Sequence, residues 1–276
     1  MRGFVITILS ISLLVILVVL GMSFRNSQLS NERSIIEPLP LIYAATLFDD
    51  VAVGLNSIVG PQIQIYQRND STQIRIIDTL SNYNYSSEIF RYDTFLRGEV
   101  ASRTASNITT NFTNMSEGMI TLFINDNYIY TNNHSSNESV FTKIGGTDAT
   151  SYEINVTITA VRSDVTHMEF DENGTINVTI QYTDINGTEI EEGQVLPNAV
   201  NIMEIDYASG SKLTITIGQI NGEGGSFRMK SDSIATVASW TVTLPPINET
   251  EKLGYEYDAY IRYVQGRVSK QCRIGK

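Results

Sequence analysis

The chain has one cysteine, Cys272, and two histidines, His134 and His167, among 276 residues. One thiol closes no internal disulfide, and two imidazoles without cysteine partners build neither a Cys/His zinc site nor a c-type haem attachment. Basic residues are also scarce: 19 Lys+Arg stand against 30 Asp+Glu, for a net charge of −11 and a pI near 4.7. Phosphate binding draws on clustered Lys and Arg, so nucleic acid is not an expected partner. No G-x-S-x-G elbow, P-loop or G-x-G-x-x-G motif occurs, and no cofactor is assigned.

What the chain does have is an uncharged run from Gly3 to Phe24, 22 residues bounded by Arg2 and Arg25, of which 15 are Leu, Ile, Val or Phe. A helix of that length spans about 33 Å, enough for a hydrocarbon core of about 30 Å. At about −0.4 kcal/mol per apolar side chain, insertion of those 15 contributes roughly −6 kcal/mol. The run is longer than a cleavable signal's apolar region and lacks an A-x-A-like site, so residues 1–24 read as a transmembrane anchor in the lipid bilayer. Arg2 with the terminal amine on one side and Arg25 with Arg33 on the other leave the orientation undecided by charge.

Orientation comes from Asn-x-Ser/Thr acceptors, which occur at Asn69, Asn84, Asn107, Asn111, Asn114, Asn133, Asn137, Asn155, Asn173, Asn177, Asn186 and Asn248. With 22 Asn, 26 Ser and 27 Thr, chance predicts about four such sites, and twelve is near a threefold excess for a pattern of secreted surfaces. The abundance of Asn and Thr in turns and strands accounts for about half of them. The expectation is an external body from Arg25 onward carrying N-linked glycans. Many acceptors without a disulfide suit an archaeal cell surface, with a eukaryotic surface second, because a eukaryotic secretory compartment oxidises paired thiols.

Residues 25–60 form a juxtamembrane segment that ends in an amphipathic helix. Pro38 and Pro40 are expected to end or kink the anchor helix. Leu41 to Val59 then carries an apolar stripe at helical spacing, closed by Gly60-Pro61. That stripe faces either the chain's own core or a neighbouring subunit. Residues 61–276 form the third unit. Gln62–Gln67 and Thr72–Leu80 read as strands and Ser87–Arg103 as a helix, with Asp93/Arg97 and Glu99/Arg103 paired four apart. From Met119 onward the pattern has period two: Ile120–Ile124, Tyr128–Tyr130, Tyr152–Val161, Thr175–Tyr182, Leu213–Ile220, Ala235–Leu244 and Tyr257–Val268. Asn-Gly and related turns separate these strands. The predicted fold is mainly β, an antiparallel sandwich-like ectodomain with an N-terminal transmembrane helix and one or two short helices. Asn132–Ser139 reads as a mobile loop.

Arg2-Gly3-Phe4 followed by Val-Ile-Thr-Ile-Leu-Ser-Ile resembles the processing site of type IV pilins and their archaeal pilin-like relatives. The resemblance implies cleavage between Gly3 and Phe4, a hydrophobic helix packed into a filament core, and a β-rich outer surface. It also implies partners in a homo-oligomer or in other pilin-like subunits. Where bacterial pilins carry a glutamate five residues into the mature helix, this chain has Ile8. A plain uncleaved signal anchor is the alternative.

Local chemistry is sparse. Ser209-Gly-Ser-Lys212 matches S-x-x-K but falls at a turn rather than a helix start. Asp49/Asp50 and Glu191/Glu192 are adjacent acids whose side chains diverge, and they read as solvated charges. Asp184-Ile-Asn186-Gly187 with Glu189, Glu191 and Glu192 has its glycine at the fourth rather than the sixth position of a calcium loop, which leaves a weak, non-EF-hand calcium site in these acidic loops as the alternative to a plain turn. His134 and His167 read as incidental, and Cys272 as an idle thiol or an intersubunit link. No residue is assigned to catalysis or to a metal. The leading expectation is a membrane-anchored surface glycoprotein with a structural or adhesive role. An anchored carbohydrate- or protein-binding module comes second, and a β-sandwich hydrolase third.

Overall fold

A computed structural model describes residues 38–59, 62–80, 85–124, 127–232, 236–247, 254–266 and 268–275. The anchor over 3–24, the processing pair Gly3 and Phe4, and the acceptors Asn84 and Asn248 lie outside the described residues.

Helix α1 (Pro38–Val59) leads into strands β1 (Gln62–Gln67) and β2 (Thr72–Leu80). Helix α2 (Ser86–Phe95) continues through a π turn at Leu96–Val100 to Arg103. There follow β3 (Asn107–Asn111), the short α3 (Thr113–Ser116), β4 (Met119–Ile124), β5 (Tyr128–Asn133), β6 (Glu138–Lys143), β7 (Ser151–Ile158) and β8 (Arg162–Thr166). The rest is strand: β9 (Ile176–Asp184), β10 (Gly187–Val195), β11 (Val200–Tyr207), β12 (Lys212–Ile220), β13 (Glu223–Ser231), β14 (Thr236–Leu244), β15 (Tyr255–Gln265) and β16 (Val268–Gly275).

These strands form two sheets. The smaller runs β1-β2-β14-β7-β9-β10, and the larger runs β16-β15-β4-β5-β6-β13-β12-β11-β8, with β3 also paired to β15. The mainly β, sandwich-like architecture is the one the alternation predicts. In β7 the buried side chains are Tyr152, Ile154, Val156 and Ile158, and in β9 they are Ile176, Val178, Ile180 and Tyr182 with Asp184 at the strand's end. Burying every second residue needs an apolar partner layer on one side only, and the other sheet supplies it.

Trp240 on β14 is the hub between the layers. Its ring lies 4.8 Å from Phe227, 5.3 Å from Phe141 and 5.9 Å from Tyr130, all on the larger sheet, and is fully buried. Tyr152 on β7 stacks on Phe227 at 5.7 Å and donates its hydroxyl to the Gly225 carbonyl at 2.7 Å. The two sheets therefore meet through large rings: the Tyr152 hydroxyl is satisfied by Gly225, whereas the Trp240 indole N–H is buried without a hydrogen-bond partner among the described residues, so that ring contributes by packing alone.

Four expectations are corrected. The β7–β9 pair is parallel, because the chain leaves the smaller sheet to make β8 on the edge of the larger one and then returns. The expected single strand Tyr257–Val268 is instead two paired strands: Gln265 pairs with Val268, and Gly266 after Gln265 has φ +58. Asn132–Ser139 is no loose loop but the β5–β6 hairpin. Asn132 and Ser139 are buried, and the Asn133 side chain accepts the backbone N–H of Ser135 at 3.0 Å. Expected breaks also hide strands β3, β6, β8, β10, β11 and β13.

Helix α1 buries Ala44, Phe48, Val51, Ala52, Leu55 and Val59 in the same core, against β15, β16 and α2. Over Leu41–Val59 it has a mean hydropathy of 1.3, making it a helix of membrane-spanning length and apolarity near the N-terminus. Its buried stripe settles one question the sequence leaves open: that face meets the chain's own β body. Asn56 reinforces the dock, donating to the Tyr255 hydroxyl at 2.9 Å and accepting from the Tyr257 hydroxyl. Gly54 lets α2 approach, since a Cβ there would stand 2.3 Å from the Tyr92 hydroxyl oxygen.

Truncating Trp240→Ala removes the ring that joins the sheets and is expected to cost about 3–5 kcal/mol, read by denaturant unfolding. Gly54→Ala is expected to destabilise the α1–α2 contact, measured as faster hydrogen exchange in α1 without loss of the β core signal. An unchanged exchange pattern would mean that Tyr92 swings aside.

Candidate functional site: an inward-facing charge cluster at the sandwich edge

Strand β10 is an edge strand of the smaller sheet and β8 an edge strand of the larger. Along β10 the covered residues are Glu189, Glu191, Gly193 and Val195, while Ile190 and Glu192 are exposed. Period two places the first four on one face. The strand thus turns carboxylates inward and its isoleucine outward, the reverse of a half-buried strand.

Cations from the opposite sheet meet those carboxylates. Arg162, at the start of β8, reaches Asp184 at 3.4 Å and bonds Glu189 Oε2, with its guanidinium over the Tyr182 ring. The Asp184 side chain is fully buried and accepts the Asn186 N–H at 2.7 Å, the Gly187 N–H at 3.1 Å and the Tyr182 hydroxyl at 3.0 Å. Asp184 therefore caps its own hairpin turn, and that use, rather than calcium ligation, explains the Asp-Ile-Asn-Gly sequence. The Tyr182 and Tyr207 hydroxyls join at 3.0 Å between the sheets. Burial pushes the Tyr182 phenol up to about 12 and raises Tyr207 as well.

His167 follows β8 directly. Its Nδ1 meets Glu191 Oε1 and lies 3.8 Å from Glu189 Oε1, while the backbone N–H of Met168 donates to Glu191 Oε2 at 3.3 Å. Met168 is buried and fixes the chain at this point. The loop that follows is tied to β10: Asp171 N–H donates to the Gln194 carbonyl at 2.8 Å and Thr175 N–H to that of Val195 at 3.1 Å. Phe170 lies on Gly193, where a Cβ would stand 2.2 Å from the Phe170 Cγ. Beside His167 opens a cleft of about 390 Å³ lined by Thr166, Phe170, Leu196, Val200, Asn201 and Ile202 among others. His167, Glu189 and Glu191 present one donor atom each within 4.8 Å of one another.

This cluster corrects two sequence readings. Glu192 is a solvated charge, but Glu191 is covered by His167, and the imidazole is not incidental. The other singled-out residues stay apart. Asp49 and Asp50 are exposed on α1, and His134 packs edge-on to Tyr85 at 4.7 Å. Lys212 is held by Glu204 at 2.9 Å beyond a Gly210 turn. Burial raises the Cys272 thiol, lowering its thiolate fraction.

Of the acceptor asparagines described, Asn69, Asn107, Asn111, Asn155, Asn173, Asn177 and Asn186 are exposed, and Asn114, Asn133 and Asn137 are half-buried. Asn114 has its side-chain nitrogen engaged by Asp258 at 2.9 Å. Asn155 lies in a polar cleft of about 410 Å³ on the outer face of the smaller sheet, beside Tyr66, Arg68, Arg75 and Glu153.

No protein-family model, curated protein or solved structure matches the chain.

Removing the Arg162 guanidinium with Arg162→Ala leaves Asp184 buried without its cation and is expected to cost about 3–5 kcal/mol, whereas Glu192→Gln stays within about 0.5 kcal/mol. The hydrogen bond to Glu191 raises the His167 pKa, with the Glu191 and Glu189 charges adding to it. Folding then favours imidazolium: its stabilisation is full below the unfolded value of about 6.5 and fades as pH rises through the higher folded value. In metal-free buffer, His167→Ala should therefore lower Tm more at about pH 5.5 than at about pH 9.

Proposed function

We propose that the chain is a membrane-anchored, externally facing glycoprotein of an archaeal envelope, with a structural or adhesive role and the build of a pilin-like subunit. The observation that carries this reading is the placement of the acceptor asparagines: none of the ten described is buried, and they are spread over turns and outward strand faces of both sheets. Asn132 and Asn201, which are not acceptors, are by contrast buried.

The anchor supports the same reading from the other end. The uncharged run ends at Phe24, and α1 begins at Pro38, which leaves a short polar stretch between lipid and body. Residues Leu41, Ile42 and Tyr43 on the first turns of α1 are exposed, as a helix close to a membrane or to neighbouring subunits allows. Processing after Gly3 would release Phe4 as the first residue of the filament-forming helix.

The second reading, an anchored binding module, is favoured by the cleft around Tyr66, Arg68 and Arg75. An exposed tyrosine face beside guanidinium donors suits a carbohydrate or a protein loop. No catalytic role is given to any residue in either reading.

Three measurements test the proposal. Protease added to intact cells is expected to shave the β body. Edman sequencing of membrane-extracted protein is expected to begin at Phe4. Glycopeptide mass spectrometry is expected to find sugar at Asn155 and Asn186 in preference to Asn114, whose amide is engaged by Asp258. An unmodified, protease-protected chain in the cytosol would end the proposal, and Met1 retained at the N-terminus would end its pilin-like part.

A further inference from the structure

We propose that His167, Glu189 and Glu191 bind a divalent transition-metal ion of the zinc class, joining the two sheets at their shared edge. The donor set is one imidazole nitrogen and two carboxylate oxygens, which suits zinc and its first-row neighbours. Calcium and magnesium select oxygen ligands alone.

The three donors come from rigid and separate places. Glu189 and Glu191 stand two apart on the inward face of β10, and His167 leaves the end of β8 on the other sheet, fixed by the buried Met168. A tetrahedral ion with bonds of about 2.0–2.2 Å holds its donors roughly 3.4 Å apart. Nδ1 of His167 already lies 3.8 Å from Glu189 Oε1, and all three donors fall within 4.8 Å. The hydrogen bond now joining His167 Nδ1 to Glu191 Oε1 holds that pair closer than two ligands of one ion stand, so the exposed imidazole must swing outward to admit the ion, which then replaces the bridging proton.

Each carboxylate is also oriented by its other oxygen. Glu189 Oε2 is bonded by Arg162, and Glu191 Oε2 accepts the Met168 N–H at 3.3 Å. Such outer-shell partners leave Oε1 of each residue aimed at the imidazole, the arrangement that metal sites use to hold their ligands. The Glu191 side chain is only 9% exposed, while His167 is 61% exposed, so the site is closed on the protein side and open toward solvent. Three protein ligands with one open position leave room for water, next to the cleft lined by Thr166 and Phe170.

The test uses the full chain in detergent, stripped with EDTA and titrated with Zn²⁺ by calorimetry and thermal melting. One Zn²⁺ per chain is expected, with a rise in Tm, and His167→Ala or Glu191→Gln should weaken binding by at least about tenfold. Glu192→Gln, on the opposite face of β10, should bind as the parent does. Circular dichroism of each variant separates lost binding from lost fold, and exposed His167 makes its alanine variant the safer probe. Three results would overturn the site: absence of Zn²⁺ binding, binding unchanged in a folded His167→Ala variant, or Ca²⁺ and Mg²⁺ binding as tightly as Zn²⁺.

Discussion

Contact between the two sheets through the rings around Trp240 is the constraint on which the other features rest. Trp240 sits on β14, flanked by β2 and β7 in the smaller sheet, and its ring meets side chains from β5, β6 and β13 of the larger one. With the layers held at that separation, the alternating residues of the central strands have somewhere to go, and the outer faces carry polar groups together with single aliphatics such as Val237 and Ile202. Acceptor asparagines on β7 and β9 are exposed because Tyr152, Ile154, Ile176 and Val178 face the other way. Outward placement of these asparagines is thus a consequence of strand register, since a one-residue slip would exchange the two faces.

A sandwich has open edges, and this one manages two of them differently. The edge strand β16 is covered by α1, whose stripe from Ala44 to Val59 joins the core. At the opposite edge of the larger sheet, β8 has too few apolar residues to bury, and Arg162 and His167 tie it to the smaller sheet by charge. Exposed edge strands invite pairing with other chains, and inward-pointing charges are one way of blocking that. The same arrangement concentrates donor atoms, so a device that keeps strands from aggregating also supplies the ligand set for a cation.

How far the fold could be read in the sequence follows from the same physics. Strands β1 and β2 match their predicted bounds, and β9 and β14 nearly so, because Ile, Val and aromatic residues recur at period two between turn residues. α1 was legible from its stripe, and the Asp93/Arg97 and Glu99/Arg103 pairs of the second helical region appear at 2.9 and 3.7 Å. Strand β10 was not legible. Its inward positions are Glu189, Glu191 and Gly193, covered by Arg162, His167 and Phe170 instead of by aliphatic side chains, so hydrophobic alternation has nothing to detect. Strand β8 has only Val165 as an aliphatic, and β13 buries Ser226 and Ser231 beside Phe227 and Met229. The site was hidden for the same reason: it pairs residues on different sheets, and the chain gives no local sign of which strands will be neighbours. The period-two run Glu189-x-Glu191-x-Gly193-x-Val195 after the Asn186-Gly187 turn was the one available clue.

The join between α1 and the body determines how anchoring would act on the fold. A tether attached at Pro38 pulls on a helix whose far half is held by Val51, Leu55 and Val59 and by the Asn56 contacts to Tyr255 and Tyr257. Those tyrosines lie on β15, which also pairs with β3, β4 and β16. Load entering through α1 is therefore shared across four strands of the larger sheet before it reaches the rings around Trp240. A helix docked in this way moves with the β body as one piece, so a pull arriving at Pro38 is passed directly to the larger sheet.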